Sequence, residues 1–313
     1  MKPIWSPSSD VIESSQIARW MEVLGRPLDP QQPEVAVSQL IEWSQNEPEA
    51  FWDGLMKDLG VVWSTPYEQV LDLSKGPEWA NWFVSGRTNL ALNCVDLPAT
   101  ETPDRLALIG EEEDGTVRRW TFAEIADEVD RWAAALRHRG IQPGDRVGCL
   151  MPMVAEVAIA MLATMKVGAV FIPIFSGYAA PSVRERLEDA GAKCLFTADL
   201  GYRRGTSFDL KSHADEAVEG LKDLETVFVL QRGDGSASMQ SGRDVWWNEI
   251  PESDEGDTST QMMGAMDPCL MIYTSGTTGK PKGTIHTHAG CMAQMGKELR
   301  FNFDVGRDDD LFW

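Results

Sequence analysis

Basic residues are scarce in this sequence. Twenty-eight Lys and Arg stand against 49 Asp and Glu, a net charge of −21 over 313 residues. A field of that sign repels nucleic acid and other phosphate-rich surfaces, so a bound nucleotide needs a local basic, amide-rich grip. Paired cysteines are missing too. The five, at 94, 149, 194, 269 and 291, are odd in number and form no C-x-x-C, which removes both a disulfide framework and a zinc knuckle. Set in or beside apolar runs, Cys149, Cys194 and Cys269 read as buried free thiols of a reducing, cytoplasmic compartment. His286 and His288 are two apart, not at helical metal-ligand spacing. Long apolar runs are lacking as well. The richest, residues 154–175, is broken by Glu156, Lys166 and Pro173, whereas a membrane span wants about 20 uninterrupted apolar residues. The start, "MKPIWSPSSDVIESSQ", has no apolar core of a secretory signal. Neither G-x-x-x-x-G-K-[ST] nor G-x-G-x-x-G occurs, so nucleotide-hydrolase and dinucleotide fingerprints are both absent.

What is present reads as α/β. Residues 1–95 are Trp-rich and helical in pattern: Asp10 is placed as a cap before Ile12, Ile17, Trp20 and Met21, and Phe51, Trp52, Leu55, Met56 and Leu59 recur at helical spacing. From 96 to 231 apolar strands alternate with helices. "RLALIG", "EEEDGTV" and "RRW" spell a hairpin, with "EEED" as a solvated turn. Thr121 and Glu124 form a capping box before an amphipathic helix stopping at Gly140; a second box, Ser182 with Glu185, is placed before a helix stopping at Gly191. "DRVGCLMP", "AVFIPI", "KCLFTAD" and "ETVFVL" are continuous apolar strands, the pattern of a mostly parallel sheet covered on both faces. Residues 232–267, acidic and Gly/Ser-rich around an isolated "VWW", read as an irregular connector, and 268–313 as the start of a second α/β lobe.

That lobe opens with the densest chemistry in the chain. After the strand "CLMIY", Thr274, Ser275, Gly276, Thr277, Thr278, Gly279, Lys280, Pro281, Lys282 and Gly283 run toward a helix expected over 289–300. Glycines let backbone amides converge on an anion, hydroxyls add donors and the lysines supply charge, so the loop is built for a polyphosphate at a strand-to-helix turn.

"YTSGTTGKPKG" resembles the phosphate-loop signature of the AMP-forming acyl-CoA synthetases, the adenylate-forming family. "WFVSGRTNLALNCVD" at 82–96 is similar to its acetyl-CoA synthetase branch, and the resemblance runs over about residues 35–313. It implies the N-terminal large domain of the adenylate-forming fold, with mostly parallel sheets flanked by helices and an N-terminal helical region. It also implies an acid-thiol ligase that activates a small, acetate-like carboxylic acid with MgATP and transfers it to CoA. Thr274, Ser275, Gly276, Thr277, Thr278, Gly279, Lys280 and Lys282 would hold ATP phosphates. Phe175, Ser176, Gly177 and Arg203 would contact CoA, although Ser176 stands where that branch tends to have Gly. The family's adenine-stacking motif, ribose-binding Asp, hinge and C-terminal lysine domain have no counterpart here. By this reading the chain is incomplete at its C-terminus and inactive alone, with room for a complementing C-terminal half. A non-catalytic nucleotide-binding or partner-binding half-protein, and an adenylating enzyme for another acid, are the alternatives.

Overall fold

The computed structural model describes residues 6–113, 115–250, 256–274 and 279–312. Contacts group the chain into two units, Met1–Gly86 with Ala289–Trp313, and Arg87–His288. The four-segment division expected from composition does not coincide with them: the break near 95 falls at 86, and no break separates 231 from 268.

The first unit holds α1 (Ser9–Ser14), α2 (Gln16–Val23), α3 (Pro33–Asn46), α4 (Pro48–Asp58) and the antiparallel pair β1 (Gln69–Asp72) and β2 (Asn81–Val84). Two serine caps, not Asp10, set its start: Ser8 accepts from the Val11 amide and Ser15 from the Ala18 amide, so one expected helix is two. Trp20, Met21, Trp43, Phe51 and Leu55 form its core. Phe301 stacks on Trp20 at 4.8 Å, bringing the chain's last helical turn into the same aromatic cluster.

The second unit begins with β3 (Arg87–Thr88), a short helical stretch ending in α5 (Leu97–Glu101), and the antiparallel hairpin β4 (Leu106–Glu111) and β5 (Val117–Thr121). Next come α6 (Phe122–His138), β6 (Arg146–Leu150), α7 (Glu156–Lys166), β7 (Val170–Pro173), α8 (Ala180–Ala190) and β8 (Cys194–Ala198). After them stand the hairpin β9 (Leu200–Arg203) and β10 (Thr206–Asp209), α9 (Leu210–Val218), β11 (Thr226–Leu230), β12 (Asp244–Trp246), β13 (Met263–Gly264), β14 (Pro268–Thr274) and β15 (Lys282–Thr287). Helix α10 (His288–Lys297) leaves it.

Seven strands form one sheet in the order β12-β11-β8-β6-β7-β14-β15, all parallel except β15, which returns antiparallel to β14. Register places Cys149 beside Phe196 and Gly148 beside Leu195, and neighbouring residues face opposite sides. Trp132 of α6 packs on Phe196 at 5.2 Å, while Leu187 of α8 fills the space above Gly148. Helices therefore cover both faces, as the unbroken apolar strands require. The Thr121–Glu124 box is formed, with the Thr121 amide donating to Glu124 at 2.7 Å. The Ser182–Glu185 box is not. Helix α8 starts earlier, at Ala180, whose amide donates to His213 Nε2. No helix among the described residues is long and apolar enough to cross a membrane.

One sequence expectation is corrected by packing. "VWW" is not an isolated patch in a connector: Asp244–Trp246 is an edge strand of the main sheet, and Trp247 lies 3.9 Å from the Trp132 ring. Along "CLMIY", Cys269 is buried while Ile272 is 38% exposed. Since Trp247 closes the cluster of Trp132, Phe196 and Phe228, Trp247→Ala should cost about 3 kcal/mol in urea unfolding. A loss under about 1 kcal/mol would return the segment to the status of a loose connector.

Candidate functional site

Strands β6, β7, β8 and β14 point the same way, so the segments after each gather at one rim of the sheet. That rim is where ligands bind in open parallel α/β sheets. After β7 comes Ile174–Ala179, after β8 the β9–β10 hairpin, and after β14 the glycine-rich loop.

The loop closes a β-hairpin instead of leading into a helix. Thr274 pairs across the ladder with Lys282, Tyr273 with Gly283 and Met271 with Ile285. The strand β15 has no apolar signature in the sequence, since "KGTIHT" has one large aliphatic residue and is exposed along most of its length. Thr274, Gly279, Lys280 and Lys282 stand exposed at the mouth of this hairpin, with Gly279 at φ 90°. Ser275, Gly276, Thr277 and Thr278 lie outside the described residues.

Beside the hairpin runs a stack of rings and guanidinium groups. Arg203 lies over the Phe175 ring at 6.0 Å. Phe175 meets Tyr178 edge-on at 5.6 Å. Arg186 sits over Tyr178 at 4.3 Å and reaches the Tyr273 ring at 5.9 Å, next to Thr274 at the loop's base. Tyr273 Oη donates to Asp189 at 2.6 Å; burial, and then that carboxylate, hold its phenol protonated well above the usual range. Gly177 belongs to the stack because nothing larger fits: a Cβ there would meet the Phe175 ring at 2.5 Å. Ser176 is half-buried next to it. Phe175, Gly177 and Arg203, read separately from the sequence, are thus side by side, and the stack links them to the loop. Tyr178, Arg186, Asp189 and Tyr273 were not singled out in the sequence, although Arg186 and Asp189 share one face of α8 at i, i+3 spacing.

Charge is distributed unevenly around this rim. Lys166, Lys211 and Arg243 are locked into carboxylate pairs elsewhere in the unit. Arg203, Lys280 and Lys282 enter no ion pair among the described residues. Arg186 is nearly buried and its Nε has no hydrogen-bond partner. Cations without carboxylates in a chain of net charge −21 are places for an outside anion.

The histidines divide. His286 lies on β15, exposed; His288 is fully buried, and its Nδ1 accepts the Leu90 amide at 3.1 Å. Burial lowers its pKa to about 4, against the smaller opposite pull of Asp267. Neither joins a metal cluster, and none of three or more His, Cys, Asp or Glu forms among the described residues.

A mostly parallel sheet whose strand ends bring the loop after β7, the β9–β10 hairpin and a glycine-rich hairpin to one rim defines the class: an α/β protein with an open parallel sheet. The AMP-binding enzyme family model matches residues 95–313, and the acetyl-coenzyme A synthetase N-terminus model matches 37–94. The chain belongs to the AMP-binding enzyme family, in its acetyl-CoA synthetase-like, adenylate-forming branch. It is 38% identical over 275 residues to acetyl-coenzyme A synthetase of Pasteurella multocida, covering 88% of this chain and 42% of that protein. The Streptomyces avermitilis acetyl-coenzyme A synthetase is 40% identical over 254 residues, covering 81% of this chain and 39% of its own. Among solved structures, acetoacetyl-CoA synthetase from Streptomyces lividans superposes with a TM-score of 0.90 at 27% identity, over 100% of this chain and 47% of that one. The chain thus spans less than half the length of these relatives.

The buried histidine gives a pH test. Its folded pKa lies below the unfolded value of about 6.5, so the unfolded state binds the extra proton. Stability is full above pH 6.5 and falls as pH drops toward 4, by on the order of 3 kcal/mol from this group. His288→Gln, which keeps an acceptor for the Leu90 amide, should flatten the unfolding midpoint between pH 6.5 and 5. An unchanged slope would show that His288 does not set it.

Proposed function

We propose that this protein serves an ATP-dependent, AMP-forming acid-thiol ligation of a short-chain, acetate-like carboxylic acid. The observation that carries the reading is the continuous stack from Arg203 to Tyr273, which joins the residues expected for CoA to the base of the loop expected for ATP. In the first step a carboxylate oxygen of the acid attacks the α-phosphorus of MgATP. The bond to the bridging oxygen breaks and pyrophosphate leaves. In the second, the CoA thiolate attacks the acyl carbonyl carbon and AMP departs with the carboxyl-derived oxygen.

This chain's residues contribute grip and charge. Amides and hydroxyls of Thr274 to Gly279 hold the β- and γ-phosphates, with Lys280 and Lys282 offsetting the charge that develops on pyrophosphate. Magnesium would arrive with the nucleotide that this loop and its lysines hold, and would withdraw charge from the phosphates. Arg203 pairs with a phosphate of CoA while Phe175 and Tyr178 offer rings to its adenine; Gly177 and Ser176 keep the approach open. The working place of such an enzyme is the cytoplasm, and a complementing C-terminal half supplies the adenine-stacking and lysine-bearing parts of the site.

A binding and turnover experiment on the 313-residue chain tests this. MgATP should bind, with Lys280→Ala and Lys282→Ala each weakening it about tenfold. Exchange of label between pyrophosphate and ATP in the presence of acetate should stay at background for the chain alone, because positioning groups are missing and their loss costs orders of magnitude in rate. Absence of MgATP binding would overturn the ligase reading at the loop. Rapid exchange would overturn the need for a complementing half.

A further inference from the structure

We propose that Glu113 is a positioning residue for Arg203: its carboxylate fixes the tight turn that aims this arginine at CoA. The inference rests on the reading of Arg203 as a CoA contact. Arg203 ends β9, and Thr206, its ladder partner, begins β10. Only Arg204 and Gly205 link them, at φ 53° and 75°. Such a turn twists with the strands but needs left-handed backbone at both positions, which a glycine accepts and an arginine resists. The Arg204 amide donates to Glu113 Oε1 at 3.2 Å and the Gly205 amide to Oε2 at 3.0 Å. One carboxylate thus spans both turn amides from a hairpin about ninety residues away in sequence and offsets the strain at Arg204.

The rest of the hairpin is held to match. Glu112 bridges Arg118 and Arg232, and Arg232 lies over the Tyr202 ring at 5.0 Å. Arg118 reaches Glu156 at the start of α7 at 2.7 Å. At the base, buried Asp199 accepts the amides of Leu200, Arg232 and Gly233. The acidic "EEED" turn is therefore not only a solvated loop. Glu113 anchors the tip of the arginine hairpin, Glu112 holds the Arg232 that covers Tyr202, and Asp199 anchors the root.

Glutamine and alanine separate positioning from simple charge. Removing a negative charge near an anion site should tighten CoA in both variants if Glu113 acts only by repulsion. If it positions Arg203, Glu113→Ala loses the turn, whereas Glu113→Gln keeps an acceptor. CoA affinity should be titrated calorimetrically, with amide hydrogen exchange followed over 200–209 and the thermal midpoint recorded as a folding control. Expected is about fivefold weaker CoA binding and faster exchange at 203–206 in Glu113→Ala, with most of the affinity recovered in Glu113→Gln. Unchanged or tighter binding in Glu113→Ala, while Arg203→Ala weakens CoA about tenfold, would overturn the positioning role and leave the CoA reading standing. No loss in Arg203→Ala, or no CoA binding by the unaltered chain, would overturn the CoA reading and this inference with it.

Discussion

The parallel pairing of β6, β7, β8 and β14 constrains everything else in the second unit. A parallel sheet needs helices on both faces, so its strands are mostly apolar, and the buried Thr197 hydroxyl of β8 is spent on the Leu150 carbonyl. Val147, Cys149, Ile172, Leu195, Phe196 and Phe228 are accordingly buried. What chemistry the unit has must lie where the strands stop. Because the strands run the same way, the glycine-rich hairpin, the Phe175 loop and the arginine hairpin fall at one rim without any of them being close in sequence.

The same constraint sorts the charges. A cation in the body of the unit has to be paired, since an unpaired charge taken out of water is destabilising by several kcal/mol. Lys166 meets Asp96 and Asp130, and Lys211 meets Asp215 and Asp244. The Lys166 pairs tie α7 to α6 and to the helical turn before α5, and Lys211 ties α9 to β12; they use carboxylates that the acidic composition supplies in excess. At the rim pairing is mixed, with Arg232 on Glu112 and other cations on rings. Arg186 is held by two tyrosine faces in place of a carboxylate, and Arg203 by a phenylalanine. Ring faces stabilise a guanidinium while leaving its charge unneutralised, so the rim stays attractive to anions inside a strongly negative chain.

Sequence patterns revealed those parts of this arrangement that rest on local rules. Apolar runs marked the strands and Thr121 with Glu124 marked a helix start, because periodicity and capping are properties of neighbouring residues. The glycines, hydroxyls and lysines of 274–283 marked the anion loop for the same reason. Tertiary pairing stayed hidden. "VWW" has no local signature of an edge strand; it is one because Val245 finds Phe228 across the ladder and Trp247 finds Trp132. Glu113 looked like any exposed acid in a turn, and only the approach of Arg204 and Gly205 gives it a partner. Ser182 was a plausible cap whose place is taken by a histidine from α9.

The hairpin form of the glycine-rich loop changes how an anion would be held there. At a strand-to-helix turn the helix end itself offers amides and roughly half a positive charge. At Lys282 the chain enters β15 and not a helix, so the positive charge near that position comes from side chains. Lys280 and Lys282 lie on the loop and its returning strand, and Arg186 lies behind Tyr273. The ladder also fixes the ends, since Thr274 and Lys282 are paired and their Cα atoms stand about 5 Å apart, as in any antiparallel pair. Lys282 is therefore held by the sheet and Lys280 by the loop. Substitution of Lys282 perturbs a charge in a position preset by the ladder, whereas substitution of Lys280 removes one carried on the loop.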